Sequence, residues 1–395
     1  MASSTQVQDM PAENIPSQTH PQHDSKVVDY GYLDSIKFYL GWKSPEYYEK
    51  RILSYNSFYP DETETKSSEV IDTDVGNNTF IHEFCVHNKL PVEPGKEPVD
   101  IVLVHGYGAA LGFFYKNFDG LSDIPGSTLH AIDLNGFGLS GRPKFPNLKG
   151  DTVEDVIESE DFYIDSFEEW RRKRGLKKIV LIAHSLGGYL SSCYYLKYGE
   201  GVVTKLIMIS PVGVEDSEFS LLRKESGNRD LTEDAKIAND KGVDIAQEMF
   251  DHRREYNSVV GDSDNLSIVS VEDNDNDIPK SVRLEQARTL KISNKWVTKL
   301  WEDNYSPFQM LRCVAPISTK FISRWTLNRF GKINDETELK DIMEYTSRIF
   351  LDKGSGEFGL TRLLAPGALA KMPLIKRIPE EIKIPSLWMY GDNCS

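Results

Sequence analysis

Short apolar runs alternate with helical segments along much of this 395-residue chain, and this alternation limits the possible folds more than any other feature. Five runs have the length and β-branched content of strands buried in a parallel sheet: 99–104, 129–134, 178–183, 206–209 and 386–390. Helical patterns lie between them, for example Glu160–Arg174 and Leu186–Tyr198. Strands that alternate with helices form right-handed βαβ units. The sequence therefore predicts an α/β fold with a mostly parallel central sheet and helices on both faces.

The alternation is interrupted from about residue 215 to residue 381, where no comparable strand pattern occurs. The chain is therefore predicted to begin with a disordered tail (1–29) and an aromatic, amphipathic helical segment (30–75). A core (76–214), a helical insertion (215–381) and a return to the core (382–395) follow. Within the insertion, 261–279 carries six acidic residues and no basic one, which predicts a solvated, disordered loop. Asp273–Asp277 begins like a calcium loop, but Ile278 stands where that loop needs glycine, so we predict no calcium site.

The acidic composition argues against binding to nucleic acid. Asp and Glu number 61 against 46 Lys and Arg, a net charge of −15, and such a surface repels phosphate backbones. No run approaches the roughly 18–20 apolar residues that span a bilayer. The four cysteines are scattered, which predicts reduced thiols in an intracellular protein.

The segment Tyr30–Tyr48 is rich in aromatic residues, and Leu33, Ile36 and Leu40 recur at helical spacing. The pattern leaves two interpretations open. In one, the helix packs on the core. In the other, it rests on a lipid surface, with Trp42 and the tyrosines at the level of the headgroups.

The strongest chemical motif is Ile182-Ala-His-Ser-Leu-Gly-Gly188, which lies between a predicted strand and a predicted helix. This is the context of a nucleophile elbow, a strained turn that exposes a serine at the end of a strand. Its small neighbours, Gly187 and Gly188, are needed because bulk would collide with the adjacent backbone. Ser185 is therefore the candidate nucleophile. For these residues alone, the alternative is a serine that only caps the helix.

A second motif, His105-Gly-Tyr-Gly108, directly follows the first buried run. An acyl-transfer enzyme needs backbone N–H donors aimed at the developing oxyanion. In the elbow layout these come from the residue after the nucleophile, Leu186, and from this loop, in which Tyr107 is the candidate. The loop glycines are Gly106 and Gly108. The histidine of the motif is interpreted as a buried structural residue and not as a base.

Two G-x-G-x-x-G segments, 136–141 and 354–359, do not predict a nucleotide site. Pro143 and Pro146 prevent the helix that a dinucleotide site requires after the first segment, and no buried strand precedes the second. These segments therefore predict no nucleotide cofactor. The sequence as a whole implies no organic cofactor and no metal.

Nine runs of the sequence resemble one branch of the α/β-hydrolase-fold proteins. This branch contains the animal lipolysis co-activators, the N-acyl-phospholipid lipases, and the fungal cardiolipin deacylase and lysophosphatidate acyltransferase. The resemblance covers roughly residues 76–393, and the runs that carry it are 105–122, 133–145, 160–175, 183–199, 210–214, 304–308, 323–326, 354–378 and 389–393. It implies an α/β-hydrolase fold in which the insertion forms a lid over an acyl pocket.

For the site, the resemblance implies Ser185 as nucleophile, with Tyr107 and Leu186 as oxyanion donors. The sequence departs from the family pattern at the other two members of the triad. The position of the family's acid is occupied by Cys394, and the only histidine after Ser185 is His252, within the insertion. The H-x4-D motif of the acyltransferases does not occur in the sequence. The catalytic acid and histidine are thus expected to be absent, together with the last strand and helix of the fold.

Two functions follow as hypotheses. The first is a serine-dependent acyl hydrolase or acyltransferase that acts on phospholipid or lysophospholipid acyl esters of the cardiolipin or lysophosphatidate class. The second is a catalytically impaired, lipid-associated regulatory protein. Both imply a peripheral position on a lipid surface, and the resemblance suggests mitochondria, with the cytosol or lipid droplets as alternatives.

Overall fold

A seven-stranded sheet forms the centre of the computed structural model, which describes residues 30–217, 219–222, 299, 301, 303–379 and 381–391. Its strands are β1 (Lys66–Gly76), β2 (Thr79–Asn88), β3 (Asp100–Val104), β4 (Thr128–Ile132), β5 (Ile179–His184), β6 (Val203–Ile209) and β9 (Ser386–Met389). The order across the sheet is β1-β2-β4-β3-β5-β6-β9. The pairs β1–β2 and β2–β4 are antiparallel. The remaining neighbours in the sheet, β4, β3, β5, β6 and β9, are parallel to one another. The predicted fold class is confirmed, and each of the five predicted runs is a strand.

Helices cover both faces of this sheet. They are α1 (Tyr32–Leu40), α2 (Pro45–Leu53), α3 (Tyr115–Leu121), α4 (Val153–Lys173), α5 (Leu186–Tyr194), α6 (Pro307–Cys313), α7 (Ala315–Phe330), α8 (Glu336–Phe350) and the single turn α9 (Leu360–Leu363). The alternating side chains of β3 show how the two faces are filled. Val102 and Val104 pack in one apolar cluster with α4 and α5. Ile101 and Leu103 pack in another with α2, α3 and α8.

The β1–β2 hairpin corrects the prediction of a helical segment over residues 30–75. The helices end at Leu53, and Lys66–Gly76 is a strand. Asn77 and Asn78 both have positive φ values, 51° and 55°, at the turn. Two such residues are typical of a tight hairpin turn whose twist matches that of the strands. The sequence of β1 does not show the apolar pattern of a buried strand, because most of its side chains are not buried and several are charged.

The aromatic segment packs on the insertion and also leaves one face open. The Tyr30 hydroxyl donates to Glu344 on α8 at 2.9 Å, and Arg51 on α2 pairs with the same carboxylate at 2.6 Å. Trp42 packs under the Arg348 guanidinium, 4.9 Å from the ring centroid, so it is not part of a free lipid face. Leu33 and Leu40, by contrast, are 72% and 80% exposed. The inner side of this segment therefore packs on the core, and contact of its exposed side with lipid stays a prediction.

The two glycine-rich segments contact each other in the structure. The Gly356 N–H donates to the Gly136 carbonyl at 3.2 Å, and a β-carbon on Gly136 would lie only 2.3 Å from the Gly356 nitrogen. The glycines thus permit close approach of two backbones, and the absence of a nucleotide site stays a prediction. Close by, Leu364–Ala365 and Leu369–Ala370 pair as the short strands β7 and β8.

Several predictions fall outside the described residues: the tail 1–29, the acidic loop 261–279, the run Asp273–Asp277, His252 and Cys394. Among the helices that the structure describes, none combines the length and the apolar character needed to cross a membrane.

Candidate active site

Ser185 lies in the strained turn that the sequence predicts. β5 ends at His184 and α5 begins at Leu186, so Ser185 alone connects the strand to the helix. Its φ and ψ are 54° and −122°, a conformation that costs a non-glycine residue on the order of 1–3 kcal/mol. Its N–H donates to the Ile209 carbonyl of β6 at 3.0 Å, which fixes the turn to the neighbouring strand. Strain held by the surrounding structure is typical of a nucleophile elbow.

The glycines around Ser185 are explained by close approach of neighbouring backbones. A β-carbon on Gly187 would lie 2.3 Å from the His105 carbonyl oxygen, and one on Gly106 would lie 2.8 Å from the β-carbon of Ser185. On Gly188 it would lie 2.8 Å from Pro211. The elbow and the His105–Gly108 loop are therefore packed directly against each other.

This packing places the predicted oxyanion donors beside the nucleophile. Leu186 is the first residue of α5, where backbone N–H groups have no acceptor within the helix. Tyr107 belongs to the loop that lies against the elbow, and Gly108 follows it with φ of 61°. The Tyr107 ring packs 5.2 Å from the Phe308 ring of α6, measured between centroids. The roles of Tyr107 and Leu186 as donors stay predictions.

His105 has the structural role that the sequence analysis assigns to it. The imidazole is buried, its Nδ1 lies 2.7 Å from the Gly106 carbonyl, and its Nε2 accepts from the Leu134 N–H at 3.0 Å. Burial lowers the pKa of His105 to about 4, so the ring is neutral near pH 7. Both ring nitrogens contact backbone groups, so His105 connects the His105–Gly108 loop to the segment directly after β4.

Asp133 is a positioning residue that the sequence analysis missed. Its carboxylate is buried and accepts the N–H groups of Leu111 and Leu139, each at 2.7 Å. Burial raises the pKa of Asp133 to about 7. The carboxylate thus joins the segment after the oxyanion loop to the segment after β4. The available signal was an acid near the end of the apolar run 129–134, just before a glycine-rich segment.

The described residues do not complete a catalytic triad around Ser185. His184 precedes it, but the His184 Nδ1 is buried without a hydrogen-bond partner, and burial lowers the pKa of this ring to about 4. His82 and His130 bind other carboxylates instead, Glu49 of α2 and Glu83 of β2. His252 and Cys394, the two positions singled out by the family pattern, are not described.

A mostly apolar cleft adjoins the oxyanion loop. It lies between the loop and the helices of the insertion and is narrow, because the centre of a water-sized sphere can occupy only about 20 Å³ of it. Phe137, Phe308 and Phe350 line it together with Gly108, and the Arg142 and Arg312 side chains lie at its margin. Both guanidinium groups are already bound within the protein: Arg142 to the Gly138 carbonyl at 2.7 Å, and Arg312 to Glu357. The cleft therefore offers a small, partly aromatic lining next to the predicted oxyanion site, with room for about one water-sized group.

Comparison with known proteins agrees with this geometry. A family model described as the alpha/beta hydrolase fold matches residues 101–392. A 1-acylglycerol-3-phosphate O-acyltransferase of Arabidopsis thaliana is 30% identical over 298 residues, which cover 74% of this chain and 54% of the relative. A Saccharomyces cerevisiae protein of the same activity name is 34% identical over 38% of this chain and 45% of its own length. A mouse (lyso)-N-acylphosphatidylethanolamine lipase is 41% identical over 30% of this chain and 32% of its own length.

These names are those of the branch that the sequence resembles, so the predicted relationship is confirmed. The chain spans about half the length of the plant relatives that it matches. The family model covers well over half of the chain, from β3 to beyond β9, and the elbow and its loop lie inside the match. The chain therefore belongs to the α/β-hydrolase-fold family.

Proposed function

We propose that this protein uses Ser185 to hydrolyse or transfer the acyl group of a phospholipid or lysophospholipid ester. The observation that carries the proposal is the strained Ser185 turn packed against the His105–Gly108 loop, because that arrangement has a specific use in acyl chemistry. The cardiolipin and lysophosphatidate classes are the proposed substrates. The relatives' names support an acyl ester of a phospholipid, and they include both transfer and hydrolysis.

In this mechanism the Ser185 hydroxyl attacks the ester carbonyl, and the leaving alcohol departs to give an acyl-enzyme. The Leu186 and Tyr107 N–H groups stabilise the negative charge that develops on the carbonyl oxygen. The acyl chain enters the cleft lined by Phe137, Phe308 and Phe350 once these rings move apart to admit it. Water then yields a fatty acid, whereas the hydroxyl of a lysophospholipid yields a new ester. A base must accept the Ser185 proton, since a neutral serine is a weak nucleophile.

The second candidate is a lipid-associated regulatory protein without turnover. It is favoured by one observation: among the described residues, no histidine forms a hydrogen bond with Ser185, and the adjacent His184 is held neutral by burial. Both candidates require contact with a lipid surface, so only a turnover measurement separates them.

We further propose that the outer face of α1 rests on the lipid surface. Leu33, Lys37 and Leu40 form one exposed stripe of this helix, because residues four and three apart share a face. Tyr32 and the Lys320 ammonium of α7 lie beside it, 4.8 Å apart from ring centroid to nitrogen. Exposed leucines flanked by lysine and tyrosine suit the boundary between headgroups and acyl chains. Co-sedimentation with liposomes tests this face, with Leu33 and Leu40 as the side chains to change.

The location in the cell remains a proposal as well. An intracellular, peripheral position on mitochondria is the first expectation, and the cytosol or lipid droplets are the alternatives. Fractionation of cells that produce the tagged protein, with carbonate extraction of the membrane fraction, distinguishes these locations.

The decisive experiment measures acyl products by mass spectrometry. The full chain is incubated with cardiolipin, with lysophosphatidate plus a phospholipid as acyl donor, and with a lysophospholipid alone. We expect a fatty acid or a new ester that Ser185→Ala does not form, while the variant keeps its circular dichroism spectrum. Equal product from wild type and Ser185→Ala would overturn the proposed nucleophile. Lipid binding by both proteins, with no product from either, would favour the regulatory candidate.

A further inference from the structure

Sulfur, nitrogen and oxygen donors meet on the antiparallel side of the sheet, away from the Ser185 turn. In the β1–β2 ladder Glu69 stands opposite Cys85, and His87 follows two residues later on the same face of β2. In the β2–β4 ladder His130 stands opposite Cys85, and Thr128 opposite His87. The register of three strands therefore gathers these five polar side chains on one face of the sheet.

Two of the three distances among the Cys85, His87 and Glu69 donors correspond to edges of a metal coordination tetrahedron. The Cys85 Sγ lies 3.4 Å from the His87 Nε2, and that nitrogen lies 3.5 Å from the Glu69 Oε1. All three atoms lie within 4.8 Å of one another. Tetrahedral zinc with ordinary bond lengths requires about 3.5–3.6 Å between sulfur and nitrogen and about 3.3–3.5 Å between nitrogen and oxygen. Two edges therefore need almost no adjustment.

The second nitrogen of His87 is held in the way that ligating histidines usually are. The His87 Nδ1 lies 3.1 Å from the Thr128 hydroxyl oxygen. A proton on Nδ1 can be donated to this hydroxyl, which leaves the lone pair of Nε2 directed toward Cys85 and Glu69. Such an outer partner selects the tautomer and the orientation of a ligating ring.

Glu83 and His130, on the inner side of Cys85, are excluded from the ligand set by their own partners. The Glu83 carboxylate accepts the Trp170 indole N–H at 3.0 Å and pairs with Arg174 at 3.0 Å. The His130 Nδ1 lies 2.6 Å from Glu83, too close for two separate ligands of one tetrahedron. On the outer side, the Glu69 and His87 side chains are 57% and 42% exposed, so water can reach a fourth position.

We propose that Glu69, Cys85 and His87 bind a divalent cation that prefers thiolate and imidazole, zinc being the type, with water as the fourth ligand. This inference does not depend on the proposed acyl chemistry. His87 lies beside the first residue of β4, whereas Ser185 follows the last residue of β5, a strand of the same direction. The two sites thus lie toward opposite ends of the sheet. The cation would stabilise the β1–β2 edge and take no part in the reaction.

This site differs from the expectation of no metal, since the scattered cysteines predict only reduced thiols. The ligands come from two strands that only the hairpin register brings together, so sequence spacing hides the site. Glu69 and Cys85 are 16 positions apart and stand opposite each other in the ladder.

The test uses the full chain, stripped of metal with a chelator and titrated with Co²⁺ and then with Zn²⁺. We expect one equivalent of Co²⁺ to produce a near-ultraviolet thiolate-to-metal absorption band, which Zn²⁺ then removes. Cys85→Ser should abolish the band. Glu69→Gln, at an exposed position that does not endanger folding, should weaken Zn²⁺ binding roughly 10-fold or more, and Thr128→Val about 10–100-fold.

The matched control is Cys313→Ser, because Cys313 is exposed and lies outside the cluster. This variant should keep both the band and the Zn²⁺ affinity. The proposal is overturned if wild type gives no band, or if the band survives Cys85→Ser, whatever Cys313→Ser does. Unchanged Zn²⁺ affinity in Glu69→Gln would remove that residue from the site.

Discussion

Replacing Gly187 with alanine should destabilise the protein, because the added methyl group would meet backbone atoms that cannot rotate away. The β-carbon would lie 2.3 Å from the His105 carbonyl oxygen and 2.9 Å from that of Val104. A close carbon–oxygen contact is normally about 3.3 Å. The start of α5 must therefore move away from the end of β3 by about 1 Å.

The magnitude follows from two opposing contributions. Overpacking of a tight contact typically costs about 1–3 kcal/mol, and the upper half of this range applies because the obstacle is main chain. Replacing glycine with alanine inside a helix stabilises the helix by about 1 kcal/mol, which opposes this cost. We therefore expect the free energy of unfolding to fall by roughly 1–2 kcal/mol.

Gly120→Ala is the matched control. Gly120 also lies in a helix, α3, and a β-carbon there would have no atom within 4 Å. Only the helix preference remains, so this variant should be as stable as wild type or more stable, by up to about 1 kcal/mol. Urea unfolding of the three proteins, followed by circular dichroism and tryptophan fluorescence, measures the difference. If Gly187→Ala unfolds at the same urea concentration as Gly120→Ala, the elbow is not packed as described.

Two further predictions concern His105 and the face of α1. Burial lowers the pKa of His105 to about 4 in the folded protein, from about 6.5 when unfolded, so the unfolded chain binds the extra proton as the pH falls through this window. Acidification from pH 7 to 5 should therefore cost up to about 2 kcal/mol through this group, and urea unfolding should show a smaller pH dependence in His105→Gln. Leu33→Ser with Leu40→Ser should reduce co-sedimentation with anionic liposomes, whereas Leu90→Ser, at another exposed leucine, should not. Equal sedimentation of all three proteins would show that this face of α1 does not bind lipid.

The parts of the fold that are predictable from sequence are those determined by local pattern. A strand buried on both faces must be largely apolar on both, so β3 and β5 appear as apolar, β-branched runs whatever surrounds them. The nucleophile elbow is equally local, because one strained residue and its small neighbours follow one another in the chain. Ser185 can therefore be identified from its neighbours in the sequence, and its positive φ agrees with that interpretation.

Features that depend on pairing between distant residues required the folded chain. β1 has few buried side chains, and only its ladder with β2 makes it a strand. Apolar and aromatic side chains occur on both the exposed and the packed side of α1, so the sequence alone does not show which side faces the core. Contacts with α7 and α8 determine that Trp42 packs inward while Leu33 and Leu40 face outward. Asp133 and the Glu69–Cys85–His87 cluster acquire their partners by the same means. Local sequence thus dictates where a buried strand and a strained serine must be. Which polar side chains meet depends on strand register, which spacing along the chain does not encode.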